Sequence, residues 1–266
     1  MDGKHIRLSG DRGFRYFIMS SKGNTERQAL LRDKAIKQSI RRKENPYTKA
    51  ILSTLYPGMK LLDIGCGTGH ILQDLASYCA GSLFFGLDIS DAMIQIAKSN
   101  NLSSPNVLFI RGDGMALPFS GLSLNIVINR LAEYSPYEAY RVLQQGGYFF
   151  EYGLGPDADR EIREFFGDRI EVESFCIPKV MGKWKEEVCQ GVVDTGFKIE
   201  RIEDHREQEH FRDEEALMDT IEMVPLVQDF DRSKDGGIVK TLAQKYGGEN
   251  GITTTWHYYI LKARKQ

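Results

Sequence analysis

A ten-residue run in the first third of the chain constrains its fold more than any other feature. Residues Leu61–His70 read Leu-Leu-Asp-Ile-Gly-Cys-Gly-Thr-Gly-His. An apolar stretch that ends in a carboxylate and then alternates glycine with other residues predicts a buried strand, a tight turn and a helix from Thr68. Glycines let the backbone approach a ligand closely, and a helix start offers unpaired N–H groups. The spacing is G-x-G-x-G, which differs from the G-x-G-x-x-G of a dinucleotide-binding turn.

Apolar strands alternate with helices on both sides of this turn. The predicted strands are 60–64, 83–88, 107–110, 124–129, 147–152, 197–202 and 253–261. The predicted helices are 25–40, 47–55, 68–78, 91–99, 136–144, 156–166 and 184–194, with a mostly helical stretch over 208–248. Strands that are apolar throughout and separated by helices are typical of a parallel sheet covered on both faces. We therefore predict an α/β, Rossmann-like, doubly wound seven-stranded sheet, mostly parallel, with helices on both faces and a helical cap.

The segments outside the regular alternation suggest three parts. We predict a basic helical N-terminal lid over 1–45, a ligand-binding core over 46–153, and a remainder over 154–266 that completes the sheet and inserts a helical cap near 208–248. Residues 1–49 hold 13 basic and 5 acidic residues, a net charge of +8, whereas the whole chain has a net charge of −2. Such a segment attracts an anionic substrate or a nucleic acid, or forms a solvated helix face.

The remaining composition is that of an ordinary globular protein. No apolar run approaches the ~20 residues of a membrane span, and the N-terminal residues do not resemble a signal peptide. Four cysteines (Cys66, Cys79, Cys176, Cys189) occur without a C-x-x-C pair. We therefore expect reduced thiols, a cytoplasmic protein, no metal site and no membrane partner.

Three carboxylates follow the first three predicted strands of the core. Asp63, Asp88 and Asp113 each stand at or just after a strand end, so a parallel sheet would bring them to one crevice. A cofactor with two ribose hydroxyls, an exocyclic amine and a free ammonium group would use all three. A phosphate-binding loop would carry a lysine after its last glycine, and His70 stands there instead. S-adenosylmethionine, which has no phosphate, therefore fits better than NAD.

Four motifs in order carry a family resemblance that covers roughly residues 45–153. They are Leu61–His70, Phe85–Ser90 (Phe-Gly-Leu-Asp-Ile-Ser), Gly112–Phe119 (Gly-Asp-Gly-Met-Ala-Leu-Pro-Phe) and Arg141–Gly147 (Arg-Val-Leu-Gln-Gln-Gly-Gly). This chain resembles the class I S-adenosylmethionine-dependent methyltransferases, and within them the type 11 group, which includes quinone-biosynthesis methyltransferases. The resemblance implies an enzyme that transfers a methyl group from S-adenosylmethionine.

The resemblance also implies a role for each matching position. Asp63 would orient the amino group of the cofactor, and Asp88 would bind its ribose hydroxyls. The other cofactor-binding positions are Gly65, Cys66, Gly67 and Gly69 in the turn, Ile89, Met93, Asp113 and Gly114 around the adenine, and Asn129 near the methionine moiety. Cys66 is expected to be a small turn residue rather than a nucleophile.

The stretch after the fourth core strand departs from the group. Many members have an aromatic or His-rich sequence there, whereas this chain has Asn129-Arg130-Leu131-Ala132-Glu133-Tyr134. The charged pair favours a polar small-molecule acceptor over a quinone-like one, with Arg130, Glu133 and Tyr134 as substrate-binding candidates. If the acceptor must lose a proton, the candidate bases are His205, His210, Glu133 and Tyr134. The two histidines would follow the predicted strand 197–202 and reach the crevice.

Two other functions remain open from the sequence. One is an RNA methyltransferase, acting on tRNA or rRNA, that binds through the basic N-terminal segment. The other is a non-catalytic protein that binds S-adenosylmethionine or S-adenosylhomocysteine. The acceptor and the oligomeric state are not predicted.

Overall fold

The computed structural model describes residues 25–38, 45–170, 183–224 and 226–266. Its strands are β1 (Lys60–Ile64), β2 (Leu83–Asp88), β3 (Val107–Arg111), β4 (Leu124–Arg130), β5 (Leu143–Leu154), β6 (Phe197–Phe211), β7 (Gly247–Gly248) and β8 (Gly251–Lys265). Its helices are α1 (Glu26–Gln38), α2 (Pro46–Leu52), α3 (His70–Tyr78), α4 (Asp91–Asn100), α5 (Pro136–Val142), α6 (Arg160–Phe166), α7 (Trp184–Val193), α8 (Glu214–Met223) and α9 (Arg232–Tyr246).

One sheet organises the molecule, with the strand order β3-β2-β1-β4-β5-β8-β6. Strands β1 to β5 run parallel, and β8 is antiparallel to both β5 and β6. The two-residue β7 pairs with β8 off this path. The predicted Rossmann-like sheet of seven mostly parallel strands is thus confirmed. The order reverses between β1 and β4, and ligands bind beyond the strand ends at such a switch point.

Two apolar clusters cover the two faces of the sheet. One contains Leu61 and Leu72 with the side chains of α2 and α3, and the other contains Leu62 and Val127 with those of α5 and α7. Successive residues of β1 enter opposite clusters because strand side chains alternate between faces. This two-sided burial accounts for the continuous apolar character of the core strands.

A third apolar cluster lies beyond the sheet's end. It joins α6, α8 and α9 to the extended ends of β5, β6 and β8, through residues such as Leu154, Phe211 and Leu217. The prediction of a strand over 197–202 was too short, since β6 pairs with β8 from Phe197 to Phe211. Helical structure in the predicted 208–248 stretch therefore begins only at Glu214.

Smaller boundary differences have local causes. Helix α3 begins at His70 rather than Thr68, because Gly69 is its N-cap in a left-handed conformation with φ of 78°. Helix α5 ends at Val142 and β5 starts at once, four residues before the predicted Gly147. Helix α6 begins at Arg160 rather than at 156, after Asp159 with φ of 50°.

Helix α1 is tied to the core and to the cap by polar contacts. Asp33 Oδ1 lies 2.7 Å from His70 Nε2 and accepts a 2.8 Å hydrogen bond from Asn100 Nδ2. On the cap side, Arg27 forms an ion pair with Glu222 of α8. Much of the predicted lid, residues 1–24 and 39–44, lies outside the described residues, as does Cys176. Within the described ranges, no helix has the length and apolar character needed to cross a membrane.

Candidate active site

The glycine-rich turn after β1 is held against β2 in a conformation that few residues other than glycine adopt. Gly65, Gly67 and Gly69 have φ of 71°, 53° and 78°. The N–H groups of Gly65 and Cys66 both donate to the Leu87 carbonyl, at 2.7 and 3.0 Å. A Cβ atom at Gly65 would lie 2.0 Å from that of Ala132, so a side chain is excluded there. The turn therefore exposes backbone rather than side chains.

This turn forms one wall of a cavity of about 660 Å³ at the carboxyl ends of the strands. That volume is in the range of small-molecule sites. We call the wall around the turn and the ends of β2 and β3 the turn side, and the wall formed by β5, β6, β8 and α8 the cap side. The turn side is Gly65, Cys66, Gly67, Asp88, Ile89, Gly112, Asp113 and Gly114; the cap side is Tyr152, Glu207, Glu209, Met223, Val224, Trp256 and Tyr258.

Asp88 is fixed by backbone donors at the end of β2. Its Oδ2 accepts a 2.9 Å hydrogen bond from Gly67 N–H, and its Oδ1 accepts one of 2.9 Å from Ser90 N–H. Burial raises the pKa of this carboxyl, and these N–H donors and the Arg32 charge oppose that rise. Each oxygen keeps a further lone pair, so the carboxylate can accept two hydroxyl groups from the cavity.

Asp113 and Gly114 lie at the rim of the same wall. Asp113 is exposed, and its Oδ1 accepts a 2.8 Å hydrogen bond from Met115 N–H. Ile89 lines the cavity and is 45% exposed, whereas Met93 is fully buried and does not line it. Met93 thus occupies the core beneath the wall rather than a position flanking a ligand.

Asp63 lies deeper, behind the turn; it is 3% exposed and does not line the cavity. Burial raises the pKa of its carboxyl to about 7; the charge of Arg130 opposes this rise and that of Asp88 adds to it. Thr68, which lines the cavity, has a buried hydroxyl that finds no partner among the residues described. A buried carboxylate and an orphaned hydroxyl beside a cavity are groups that a polar ligand would satisfy.

The stretch after β4 divides between the cavity and the core. Arg130 and Glu133 line the cavity, and burial raises the pKa of Glu133. Tyr134 does not line it: its hydroxyl is buried and donates to Glu151 Oε2 at 3.1 Å. Asn129 is buried as well, and its Nδ2 donates to the Ala132 carbonyl at 3.0 Å. Asn129 therefore shapes the turn that presents Arg130.

Neither histidine candidate lines the cavity, although both lie within β6, which brings Glu207 and Glu209 to it. His205 stacks on Tyr258, with ring centroids 4.8 Å apart. His210 is exposed, and its Nδ1 lies 3.0 Å from Thr253 Oγ1. Gly69 likewise caps α3 and is not a cavity-lining residue.

Several cavity residues were missed in the sequence. Arg32 reaches the cavity from α1, and burial lowers the pKa of its guanidinium to about 10. On the cap side, Tyr152 and Tyr258 stack with centroids 4.8 Å apart, and Tyr258 Oη donates to Glu207 Oε1 at 2.8 Å. Tyr152 was within reach of sequence reasoning, since it stands at the carboxyl end of the predicted strand 147–152. The others had no local signal.

The sequence comparisons with known proteins concern less than half of the chain. Residues 61–147 match a family model described as a methyltransferase domain. The demethylmenaquinone methyltransferase of Lactococcus lactis is 35% identical over 100 residues, which are 34% of this chain and 40% of that enzyme. The malonyl-[acyl-carrier protein] O-methyltransferase 1 of Coxiella burnetii is 29% identical over 115 residues, 41% of this chain and 38% of that enzyme. The chain thus spans about 40% of the length of the curated relatives it matches.

Solved structures extend the likeness of fold. A putative methyltransferase from Bacillus halodurans superposes with a TM-score of 0.59 at 16% identity, covering 83% of this chain and 98% of that one. The YcgJ protein of Bacillus subtilis gives 0.60 at 17%, with the same coverage. Residues 61–147 are thus identified as a methyltransferase domain, and this part of the chain is similar to demethylmenaquinone methyltransferases. Such a domain implies S-adenosylmethionine as the methyl donor.

The turn side fits that cofactor. Asp88 has lone pairs for ribose hydroxyls, and Asp63 adds a carboxyl group buried behind the turn. The glycine turn leaves room for backbone contact, and no lysine follows it for a phosphate. The individual cofactor contacts remain predictions.

Proposed function

We propose that this protein transfers the methyl group of S-adenosylmethionine to a polar small molecule bound on the cap side of the cavity. The observation that carries the proposal is that Asp88 and Asp113 line one cavity, with Asp63 buried behind a glycine-rich turn suited to a cofactor without phosphate. Carboxylates attract a ligand whose sulfonium and ammonium groups are positive.

The chemistry asks little of the protein beyond alignment. A methyl group bound to a sulfonium is already activated, and its transfer is an in-line displacement in which the acceptor atom attacks as the sulfur leaves. Holding the two partners collinear in a closed site supplies much of the acceleration. The turn side holds the donor, and the cap side positions the acceptor.

The cap side supports a polar acceptor. Glu207 and Glu209 bring carboxylates to this wall, and the Tyr152 hydroxyl accepts a 2.7 Å hydrogen bond from Trp256 Nε1. The aromatic rings offer flat apolar surface between these polar groups. An acceptor with both a ring or chain and several hydrogen-bonding groups matches this wall.

Glu133 is the best placed of the four candidate bases. It lines the cavity, and the raised pKa of its carboxyl makes it a better proton acceptor than an ordinary glutamate. If the acceptor atom carries a proton, Glu133 would remove it during transfer.

Basic side chains in the described part of the N-terminal segment form ion pairs with acidic residues of the same chain. Arg27 pairs with Glu222, Lys34 lies 3.5 Å from Asp219, and Lys37 lies 2.7 Å from Asp33. These contacts favour one role for α1, that of a lid that closes the cavity. They disfavour the alternative role, that of an RNA-binding surface. We propose that α1 and α8 form this lid, and that the chain divides near residues 45 and 153 as the sequence predicts. Limited proteolysis tests the lid: saturating cofactor should slow cleavage around α1, and identical cleavage with and without it would reject the proposal.

Calorimetric titration with S-adenosylmethionine and S-adenosylhomocysteine tests the central proposal. Wild-type protein should bind both, and Asp88→Ala should weaken both by about 10- to 100-fold, since it removes hydrogen bonds to a charged acceptor. Asp91→Ala is the matched control, because Asp91 is exposed and pairs with Arg111 at 3.3 Å outside the cavity. No binding to either compound, or equal binding by Asp88→Ala, would overturn the proposal. A labelled methyl donor offered with metabolite fractions then identifies the acceptor.

A further inference from the structure

The cap side of the cavity places an indole ring next to a carboxylate. Trp256 of β8 and Glu207 of β6 both line the cavity, and the antiparallel register puts them directly opposite each other. Residues opposite each other in such a pair project to the same face of the sheet, with Cβ atoms about 5 Å apart. Glu209 stands two residues beyond Glu207, so it projects to this face as well. The indole therefore has two carboxylates as neighbours on one wall.

Two tyrosines hold this wall in place. The ring of Tyr258 stacks on Tyr152 of β5 at an angle of 18° and on His205 of β6 at 10°, and β8 lies between those two strands. Tyr258 Oη donates to Glu207 at 2.8 Å, and Trp256 Nε1 donates to Tyr152 Oη at 2.7 Å. Among the described side chains, no aromatic ring or cationic group stacks on the half-buried indole of Trp256. Tyr258 thus orients the carboxylate, and Trp256 is the ring that can meet a ligand.

The charge of the cavity also favours a cation. The described residues that line it include six carboxylates and two guanidinium groups, those of Arg32 and Arg130. The charge of Arg32 acts on Asp88, and that of Arg130 acts on Asp63 behind the turn. The donor brings a net positive charge through its sulfonium, and carboxylates remain in excess when it is bound. A cationic acceptor is therefore attracted to the cavity, whereas an anionic one is repelled.

A carboxylate and the face of an indole are two groups that bind an ammonium ion, one through charge and the other through its π electrons. We propose that the methyl acceptor is an amine, bound as its ammonium ion between the Glu207 carboxylate and the Trp256 indole, and methylated on nitrogen. Glu209 adds a second negative charge beside this position. The inference rests on the proposed function, since it names the class of acceptor that the same cavity takes.

Transfer to this nitrogen balances without a further reagent. The ammonium ion first loses a proton to a carboxylate of the cavity, for which Glu133 is the candidate given above. The freed lone pair forms the N–C bond as the C–S bond breaks, and the electrons of the broken bond stay on sulfur. The products are S-adenosylhomocysteine, an N-methylated ammonium ion and a proton that passes to solvent. Since the positive charge stays on nitrogen, the wall that binds the acceptor also fits the product.

The binding test uses two probes that differ in charge but hardly in shape. They are choline and its neutral carbon isostere, in which a tert-butyl group replaces the trimethylammonium group. Both are titrated by calorimetry into protein saturated with S-adenosylhomocysteine, so that the donor side is filled. Wild type should bind choline about 10- to 30-fold more tightly, the range expected for a cation desolvated against an indole. Equal affinity, or a preference for the neutral alcohol, would overturn the inference.

Variants locate the preference on the wall. Glu207→Gln should lose most of it, since the amide keeps an acceptor for the Tyr258 hydroxyl but removes the charge. Glu203→Gln is the matched control, because Glu203 lies on the same strand, pairs with Arg201 at 2.9 Å and does not line the cavity. Trp256→Leu should also lose the preference, and Trp256→Phe should retain part of it. An unchanged preference in Glu207→Gln, or an equal loss in Glu203→Gln, would count against the inference. Should Trp256→Leu not fold, as judged by its thermal transition, the glutamate pair decides.

The transfer test keeps this inference distinct from the proposed function. A metabolite extract is separated on a cation-exchange resin at neutral pH, and each fraction is offered with methyl-labelled S-adenosylmethionine. The acceptor should be in the retained fraction, and its label should resist mild alkali, which releases methanol from a methyl ester. Transfer confined to the unretained fraction would refute the inference and leave the proposed function standing. If the protein binds neither S-adenosylmethionine nor S-adenosylhomocysteine, the proposed function fails and the inference fails with it.

Discussion

The buried carboxyl of Asp63 is proposed to serve cofactor binding, but it lowers the stability of the folded protein. The size of this destabilisation depends on pH and can be measured. Burial raises the pKa of its carboxyl from 3.8 to about 7 in the folded protein without ligand. Between these values the folded state holds a proton that the unfolded chain has lost. The contribution of Asp63 to stability is therefore most favourable at low pH and decreases as pH rises, until both states are ionised above about pH 7.

The substitution Asp63→Asn removes this titration and nothing else that hydrogen-bonds in the described structure. A shift of one pKa unit corresponds to about 1.4 kcal/mol, so burying Asp63 costs about 4 kcal/mol at pH 8, where the folded state holds an ionised carboxylate, and about 2 kcal/mol at pH 5, where folding must take up a proton. We expect the variant to be more stable than wild type, with an advantage that grows by about 2 kcal/mol between these two pH values. Glu151 and Asp159 also have pKa values of about 7, but they are present in both proteins and cancel in the difference.

Urea denaturation at pH 5, 6, 7 and 8 measures the difference. The pH dependence of the gap is the decisive quantity, because burying an amide adds a constant that does not vary with pH. Parallel stability curves would refute the argument that Asp63 is ionised at a cost. With S-adenosylmethionine at about 100 times its Kd, wild type should gain about 2.7 kcal/mol and the variant much less. An equal gain in both would show that the ammonium group is held elsewhere.

Three further outcomes follow from the site and the lid. Gly65→Ala should abolish cofactor binding and lower the melting temperature, since its Cβ would lie 2.0 Å from that of Ala132 at a φ of 71°; binding at wild-type affinity in calorimetry would contradict the close approach. Glu133→Gln should reduce kcat by about 100-fold or more if the acceptor loses a proton, and should remove the acidic limb from the pH–rate profile with little change in cofactor Kd; an unchanged profile would exclude Glu133 as the base. Asp33→Asn should weaken the link to His70 and expose α1 to protease in the ligand-free protein, and unchanged cleavage rates would show that this contact does not hold the helix.

The turn side of the cavity was predictable because its determinants are local. Each determinant can be recognised within a few residues of sequence: a strand end, three glycines, and the carboxylates Asp63, Asp88 and Asp113. Parallel strands then place these features at the same edge of the sheet. The length of β6 was not predictable in the same way. The second half of β6 consists almost entirely of charged and polar residues, so neither of its faces is strongly apolar, and it lies at the edge of the sheet. Pairing with β8, distant in sequence, fixes it as a strand.

Arg32 shows why the rest of the site escaped the sequence. It stands on an amphipathic helix that precedes the core, and nothing in its neighbours distinguishes it from the other basic residues of the segment. Its position depends on α1 docking against α8, where Met223 lies 191 residues further along the chain. The same holds for Tyr258, which stands on the final strand of the chain. Contacts that arise only from tertiary packing leave no short-range pattern to detect.

The family match and the cavity divide the molecule at the same place, and this division explains why the acceptor does not follow from the relatives. The matched residues 61–147 contain the turn side and the end of β4, whereas every residue of the cap side lies beyond them. The similar regions of the named relatives span 100 and 115 residues, and their names state different acceptors, demethylmenaquinone and a malonyl group on a carrier protein. Under the proposed function, residues within the match would bind the donor and residues beyond it would bind the acceptor. The acceptor of this chain must therefore be sought through Glu207, Glu209 and Tyr258 rather than through the glycine-rich turn.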